Sequence, residues 1–166
     1  MARFVLLFYA ILSIMALCLI QWRMDSAFLF HPLSLPASGI LLPAASSIIL
    51  VILVHLLSLA ALDRWQVLKE CAKDMRSILG GLSKGEIFMI AVSSGIGEEL
   101  FFRGWLLNET GLIVSSLIFG IVHFPSNRNW FYWPLFASAM GFLLGSLCLW
   151  TDTLIYAIVV HAGVNF

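Results

Sequence analysis

The chain has 166 residues, of which 61% are hydrophobic and 11% are charged, and 9 Lys and Arg residues balance 9 Asp and Glu residues. Soluble domains carry about 25% charged residues, so the composition argues against a water-soluble globular enzyme, a disordered tail and a disulfide-stapled secreted domain. The zero net charge argues against a nucleic-acid partner, because binding to phosphates needs an excess of basic side chains.

The hydropathy pattern predicts an all-α, polytopic membrane protein. A helix needs about 20 apolar residues to cross a hydrocarbon core of ~30 Å, and the chain can hold about six such spans in one bundle. We expect the spans, in chain order, at residues 4–22, 40–62, 86–107, 112–124, 130–150 and 153–166.

The connections between these spans are short and polar. Residues 24–39 contain Pro32 and Pro36 and predict a loop or a shallow interfacial segment. Residues 63–84 are the only strongly charged stretch, and they predict an amphipathic helix on the membrane surface. Tight turns are expected at residues 108–111 and 125–129.

Small residues recur at helical spacing in two of the predicted spans. Ala137, Gly141 and Gly145 lie four residues apart in the fifth span, which predicts a face for close helix packing. Ser116 and Gly120 lie on one side of the fourth span. Another helix can therefore come close to His123, which lies one turn further along.

The spans also contain polar residues that packing alone would not select, because a charge at mid-bilayer costs about 2.5–3.5 kcal/mol. They are Glu98, Glu99 and Arg103 in the third span, His123 in the fourth, and His161 and Asn165 in the sixth. Glu99 and Arg103 have the spacing of an intrahelical ion pair. Glu98 points about 100° away and needs another partner.

The depth of these groups predicts that they form one cluster. Counting inward at about 1.5 Å per residue from turns at residues 108–110 and 150–152 places the glutamate pair, both histidines and the asparagine about 13–20 Å deep. Three separate helices thus carry polar groups in one layer, and the economical interpretation is a shared polar site in the interior of the bundle.

Carboxyl, imidazole and amide groups in one desolvated site are typical of hydrolytic chemistry. A carboxylate beside an imidazole can hold and deprotonate a water molecule, and an amide with a second imidazole can donate hydrogen bonds to an oxyanion. A zinc site built from Glu98, His123 and His161 is the second alternative by ligand type. The H-E-x-x-H zinc motif is absent from the sequence.

Three motifs in these helices also occur in a known order. They are E-E-x-x-x-R at residues 98–103, F-x-x-x-H at 119–123 and H-x-x-x-N at 161–165. Residues 86–166 thereby resemble the CPBP family of membrane endopeptidases that process CAAX proteins and bacteriocins, also called the Abi family. The resemblance implies an intramembrane protease of the glutamate type that needs no metal or other cofactor.

The resemblance also assigns roles to the polar residues. It implies Glu98, His123, His161 and Asn165 as the catalytic set and Glu99 with Arg103 as support. The first glutamate and the first histidine would activate water, and the second histidine and the asparagine would lie near the oxyanion. Helical geometry alone does not choose between the two glutamates; the resemblance does.

The distribution of basic residues predicts the orientation. Residues 63–84 carry five Lys and Arg residues, Arg3 and Arg128 fall on the same side, and Arg23 falls opposite. The positive-inside rule then puts both termini in the cytoplasm of a bacterial plasma membrane. Residues 1–84 would supply two spans and a cytoplasmic amphipathic loop, and residues 85–166 the protease-like core.

In this orientation the exoplasmic face is the one nearer to the polar layer, and this determines which partner we expect. A membrane-anchored protein with a C-terminal sorting tag, such as the JDVT type, suits it better than a prenylated cytosolic protein. Two other functions stay open: a non-catalytic binder of the same fold, such as a bacteriocin-immunity or scaffold protein, and an ion or proton path.

Overall fold

The computed structural model describes residues 1–23, 37–124 and 132–166, and every regular element in these ranges is helical. The helices are α1 (Ala2–Arg23), α2 (Ala37–Arg64), α3 (Gln66–Leu79), α4 (Lys84–Glu99), a π-helical segment (Leu100–Leu106), α5 (Leu107–Val122), α6 (Tyr132–Thr151) and α7 (Ile155–Asn165). This confirms the predicted all-α class.

Several of these helices can cross a membrane. In the described part of the chain, 4 helices are long and apolar enough to do so: Ala2–Arg23, Gly39–Arg64, Lys84–Val122 and Tyr132–Thr151. The apolar helix Ile155–Asn165, within the last predicted span, is shorter. The polytopic architecture is confirmed, whereas the count of six spans is not.

The count differs at two places: α7 is short, and the range Lys84–Val122 covers the third and fourth predicted spans together. Within this range Gly111 has a non-helical conformation, with φ 80° and ψ 170°. Such a conformation is essentially restricted to glycine, so the chain bends sharply inside the predicted turn at residues 108–111. Of the expected loop at residues 24–39, residues 37–39 instead begin α2, and the rest lies outside the described residues, as does the turn expected at 125–129.

Helix α3 is an exposed helix, and helix α4 begins with a defined cap. Every residue of α3 is at least partly exposed, which agrees with an amphipathic surface helix. Helix α4 starts with a capping box: Ser83 Oγ accepts from the Glu86 backbone N–H, and Glu86 Oε2 accepts from the Ser83 N–H at 2.9 Å. Two backbone donors that would otherwise be unpaired are thereby satisfied.

Helix α4 packs between α1 and α7 through two glycines. A Cβ at Gly97 would lie 3.2 Å from the backbone oxygen of Tyr9 on α1, and a Cβ at Gly95 would lie 3.1 Å from the backbone nitrogen of Ala162 on α7. Most Cβ contacts in proteins are longer than these, so a larger residue at either position would push the neighbouring helix away. The glycines therefore let both neighbouring helices approach α4 beside the two glutamates that end it.

Helices α5 and α6 pack closely through the predicted small residues. A Cβ at Gly141 would lie 3.1 Å from Ser116 Cα, and a Cβ at Gly120 would collide with the side chain of Ser138. The expected packing face in the fifth span is thus confirmed. It holds the C-terminal half of α5, which carries His123, against α6.

Candidate active site

Glu98 lies where three other helices meet α4. Its side chain is buried, and Oε1 accepts a hydrogen bond from the Tyr9 hydroxyl of α1 at 2.9 Å. Oε2 lies 3.5 Å from Nε2 of His123 at the end of α5 and 3.8 Å from Nε2 of His161 in α7. The structure therefore brings together the carboxylate and the two histidines that the sequence predicts as neighbours.

The protonation of His123 follows from its other ring nitrogen. Nδ1 lies 2.6 Å from the backbone oxygen of Phe119, and because a carbonyl can only accept, Nδ1 carries a proton. In the neutral ring Nε2 is then an unprotonated acceptor facing Glu98. Glu98 Oε2 and His123 Nε2 thus face each other at 3.5 Å, and a proton taken up there can be shared by the two groups.

Glu99 has different partners although it is the next residue. It is fully buried, and its Oε1 accepts from Arg103 Nη1 at 2.7 Å. Arg103 Nη2 also donates to the backbone oxygen of Gly141 on α6 at 3.2 Å. The predicted intrahelical ion pair is confirmed, and it also links α4 to α6.

The same glutamate fixes the orientation of His161. Nδ1 of His161 lies 2.6 Å from Glu99 Oε1, and because the carboxylate accepts, Nδ1 is the protonated nitrogen. Nε2 is left pointing towards Glu98. The sequence predicts support from Glu99 but does not reveal that this support acts on the second histidine.

Phe119 packs at the centre of these groups. Its ring is buried and lies 4.4 Å from Arg103 Cζ, in a cation–π arrangement. The ring centroid lies 4.5 Å from that of His123 and 5.9 Å from that of His161. Phe119 thus packs against the buried ion pair and against both imidazoles.

Asn165 lies one turn away from the carboxylate. Its Nδ2 donates to Ser94 Oγ at 2.9 Å, and Ser94 in turn donates to the backbone oxygen of Ala91 at 3.0 Å. Ser94 precedes Glu98 by one helical turn, as Asn165 follows His161 by one turn. The structure places Asn165 on the same α4–α7 contact, but its observed partner is Ser94.

Arg103 lies in the π-helical segment. This segment follows Glu99 directly and spans Leu100–Leu106. Its hydrogen bonds span one residue more than in an α-helix, which occurs mostly in short stretches near functional sites. The segment rotates the chain between the glutamates and the turn at Gly111. The apolar sequence that forms it gives no signal that would have predicted it.

Two contact residues were missed by the sequence reasoning. Tyr9 and Ser94 are ordinary residues of apolar helices, and their partners lie 89 and 71 positions away in the chain. No local spacing reveals such a pairing. A group of at least three His, Cys, Asp or Glu side chains that could hold a metal ion is not found among the described residues.

Comparisons with known proteins identify the family of this chain. The family model described as type II CAAX prenyl endopeptidase Rce1-like matches residues 82–166. The chain is 31% identical over 86 residues to the uncharacterized protein YpbD of Bacillus subtilis (strain 168), which covers 52% of this chain and 45% of that protein.

The chain spans about half the length of this curated relative. No solved structure matches it. The family match includes all of the predicted motifs, from the paired glutamates to the final asparagine, and takes in α4, α5, α6 and α7. The chain, an integral membrane protein, therefore belongs to the Rce1-like family of type II CAAX prenyl endopeptidases.

Proposed function

We propose that the protein is an intramembrane endopeptidase that uses Glu98 to activate water. The observation that carries this proposal is the position of Glu98 Oε2, which lies 3.5 Å and 3.8 Å from the Nε2 atoms of His123 and His161. Within the described part of the chain this oxygen is buried and has no hydrogen-bond partner. A buried carboxylate oxygen between two imidazoles suits proton transfer better than structural support.

The proposed reaction begins with a water molecule held by Glu98 and His123. The water oxygen attacks the carbonyl carbon of the scissile peptide bond, and its proton passes to the Glu98–His123 pair. As the tetrahedral intermediate collapses, the carbon–nitrogen bond breaks and the pair delivers the proton to the leaving amine. One carboxyl and one amine product result, and the site returns to its starting protonation.

His161 and Asn165 suit the developing oxyanion. When the His161 ring carries a second proton, Nε2–H can donate while Nδ1–H stays bound to Glu99. The amide of Asn165 has two N–H donors, of which one goes to Ser94. The other is available to a substrate carbonyl at the α4–α7 contact.

The proposed substrate is a membrane-anchored protein cleaved near its C terminus. The site lies within apolar helices, so the scissile bond must reach it from the bilayer. We propose an exported protein with a C-terminal sorting tag, in a bacterial plasma membrane, because the basic residues place the site nearer the exoplasmic face. If the protein instead cleaves a prenylated CAAX substrate, its activity would match the description of the family model.

The test uses the full chain in liposomes with two reporter peptides. One is a single-span peptide with a C-terminal sorting tag, and the other is a farnesylated peptide ending in a CAAX sequence. Glu98→Gln and His123→Ala should lower cleavage at least about 100-fold, the size of a general-base contribution. Asn165→Ala should also lower it, through loss of an oxyanion donor.

Matched control variants show whether cleavage is lost only when the site residues change or whenever any glutamate charge or imidazole is removed. Glu109 and His55 are exposed, and His55 bonds only to Val51 of its own helix among the contacts described. Glu109→Gln and His55→Ala should therefore keep wild-type activity. Full activity of Glu98→Gln would refute the proposal. Binding without cleavage by both wild type and Glu98→Gln would favour a non-catalytic binder.

A chelator distinguishes the metal-free reaction from the zinc-dependent alternative. Because the sequence lacks the H-E-x-x-H zinc motif, we expect 1,10-phenanthroline to leave the rate of cleavage unchanged. Loss of activity with the chelator, restored by added zinc, would contradict this expectation and support the zinc-dependent reaction.

A further inference from the structure

We infer that Tyr9, on helix α1, is a positioning residue that orients Glu98 towards the two histidines. The inference rests on the proposed function of Glu98 as the base. Helix α1 lies outside residues 82–166, the part of the chain that matches the family. The contact therefore adds to the site a residue from the N-terminal half of the chain, which neither the motifs nor the match assigns.

The hydrogen bond itself is direct. The Tyr9 hydroxyl donates to Oε1 of Glu98 at 2.9 Å, and the other oxygen, Oε2, faces His123 and His161. The phenol is the donor because a carboxylate can only accept. With one oxygen held, the carboxylate plane is fixed and the second oxygen stays in the site.

The position of Tyr9 is determined by close packing beside Glu98. A Cβ at Gly97 would lie 3.2 Å from the Tyr9 backbone oxygen and 3.3 Å from its ring atom Cδ1. The Ser13 hydroxyl donates to the same backbone oxygen at 2.7 Å. The backbone of α1 thus rests on the glycine that precedes the base, and this holds the phenol within reach of the carboxylate.

Loss of the hydroxyl should act on the rate and not on binding. Without it the Glu98 carboxylate can rotate about its last bond, so the oxygen that must take the proton is misplaced for part of the time. The free energy of a hydrogen bond to a charged group corresponds to at least about a tenfold change in rate. We therefore expect Tyr9→Phe to lower kcat about tenfold and leave KM unchanged.

The experiment measures kcat and KM of the full chain in liposomes on whichever of the two reporter peptides the wild type cleaves. Tyr156→Phe is the matched control, because it also removes a buried tyrosine's hydroxyl, whose partner is the backbone oxygen of Ile40. It should keep the wild-type kcat. A merely structural role of Tyr9 would instead lower the unfolding temperature and the amount of active protein, with kcat per active molecule unchanged, and would refute the inference.

The outcomes separate this inference from the function on which it rests. Wild-type kcat in Tyr9→Phe together with an inactive Glu98→Gln would overturn the role of Tyr9 and leave the function standing. Activity in Glu98→Gln would overturn the function itself.

An infrared measurement tests the contact without activity. The chain has 3 tyrosines, and the wild-type minus Tyr9→Phe difference spectrum isolates the phenol C–O stretching band of Tyr9. Glu98→Ala should shift this band, because its hydrogen-bond acceptor is lost. A band that stays in place would show that the two side chains are not bonded and would overturn the inference.

Discussion

Glu98 and Glu99 are adjacent in the chain but have different surroundings. Glu99 is fully buried and bonded to Arg103, a permanent cation, and to His161. Glu98 has a neutral phenol and two imidazoles around it. Glu99 is held by Arg103 and His161, whereas Glu98 turns its second oxygen towards two imidazoles, so Glu99 suits support and Glu98 suits catalysis.

The Glu99–Arg103 pair gives a stability prediction. Arg103→Met should lower the free energy of unfolding by about 3–5 kcal/mol, because it leaves a buried carboxylate without its cation. The double variant Glu99→Gln/Arg103→Met removes both charges and should recover much of this loss. Unfolding of the detergent-solubilised protein, followed by circular dichroism, measures both.

The exposed pair of Arg23 and Glu109 is the control for this experiment. Its atoms lie 3.0 Å apart, against 2.7 Å in the buried pair, but both side chains reach solvent. Arg23→Met should therefore change stability little, because solvent screens the charges. An Arg103→Met protein as stable as Arg23→Met would contradict the role assigned to the buried pair.

At the site, the sequence could predict what helical spacing determines. Four-residue spacing gives the Glu99–Arg103 pair, and equal depth gives the approach of His123 and His161 to the glutamates. The bonds of Tyr9 to Glu98 and of Asn165 to Ser94 depend on how far α1 and α7 slide along α4. Side-chain packing sets that offset, and no pattern within one helix records it.

At the scale of elements, glycines determine how closely the site residues approach one another. Gly97 and Gly95 admit α1 and α7 on either side of α4, and Gly120 and Gly141 bring α5 and α6 together. Without a strong hydrophobic force between helices in lipid, such close contact is a main source of association. The polar cluster depends on these contacts, because its residues come from several different helices.

Gly120 offers the sharpest test of this packing. Gly120→Ala would place a methyl group against Ser138 and 2.6 Å from the backbone oxygen of Pro134, so α5 and α6 must separate. Overpacking of this kind costs about 1–3 kcal/mol. We expect a lower unfolding temperature and a loss of cleavage, since His123 lies one turn further along α5.

Gly85→Ala is the matched control for this packing test. A Cβ at Gly85 meets no described atom within 4 Å, so the same substitution at the start of α4 should keep both stability and activity. Equal behaviour of the Gly85→Ala and Gly120→Ala variants would refute the packing account.

The sequence predicts most elements but not their continuity. Apolar length gave the spans, and Gly111 marked the turn inside residues 108–111. The π-helical segment Leu100–Leu106 was not predicted, because its extra residue per turn changes hydrogen bonding and not hydropathy. The number of spans differs because the third and fourth predicted spans lie in one range, Lys84–Val122, with a kink at Gly111, and because Ile155–Asn165 is short.

At the scale of the whole molecule, orientation decides which substrates can be reached. The basic residues of α3 and its flanks lie on the side of the membrane opposite to the turn at residues 108–111, if each run spans once. The account therefore predicts that this turn is exoplasmic and that both termini are cytoplasmic.

A reporter enzyme that is active only outside the cytoplasm tests the orientation. Inserted at Gly111, where an added Cβ meets no described atom within 4 Å, it should be active. The same reporter inserted at Gly81, between α3 and α4, should be silent. The reverse result would place the site nearer the cytoplasm and would favour a prenylated cytosolic substrate over an exported one.

The central claim is that Glu98, with the two histidines, hydrolyses a peptide bond within the membrane. The mass of the new C terminus of a reporter peptide tests it most directly, with wild type and Glu98→Gln measured side by side in liposomes. The account predicts one product, with the mass of a hydrolysed peptide bond, from the wild type and none from Glu98→Gln. The same product in equal yield from Glu98→Gln would contradict it.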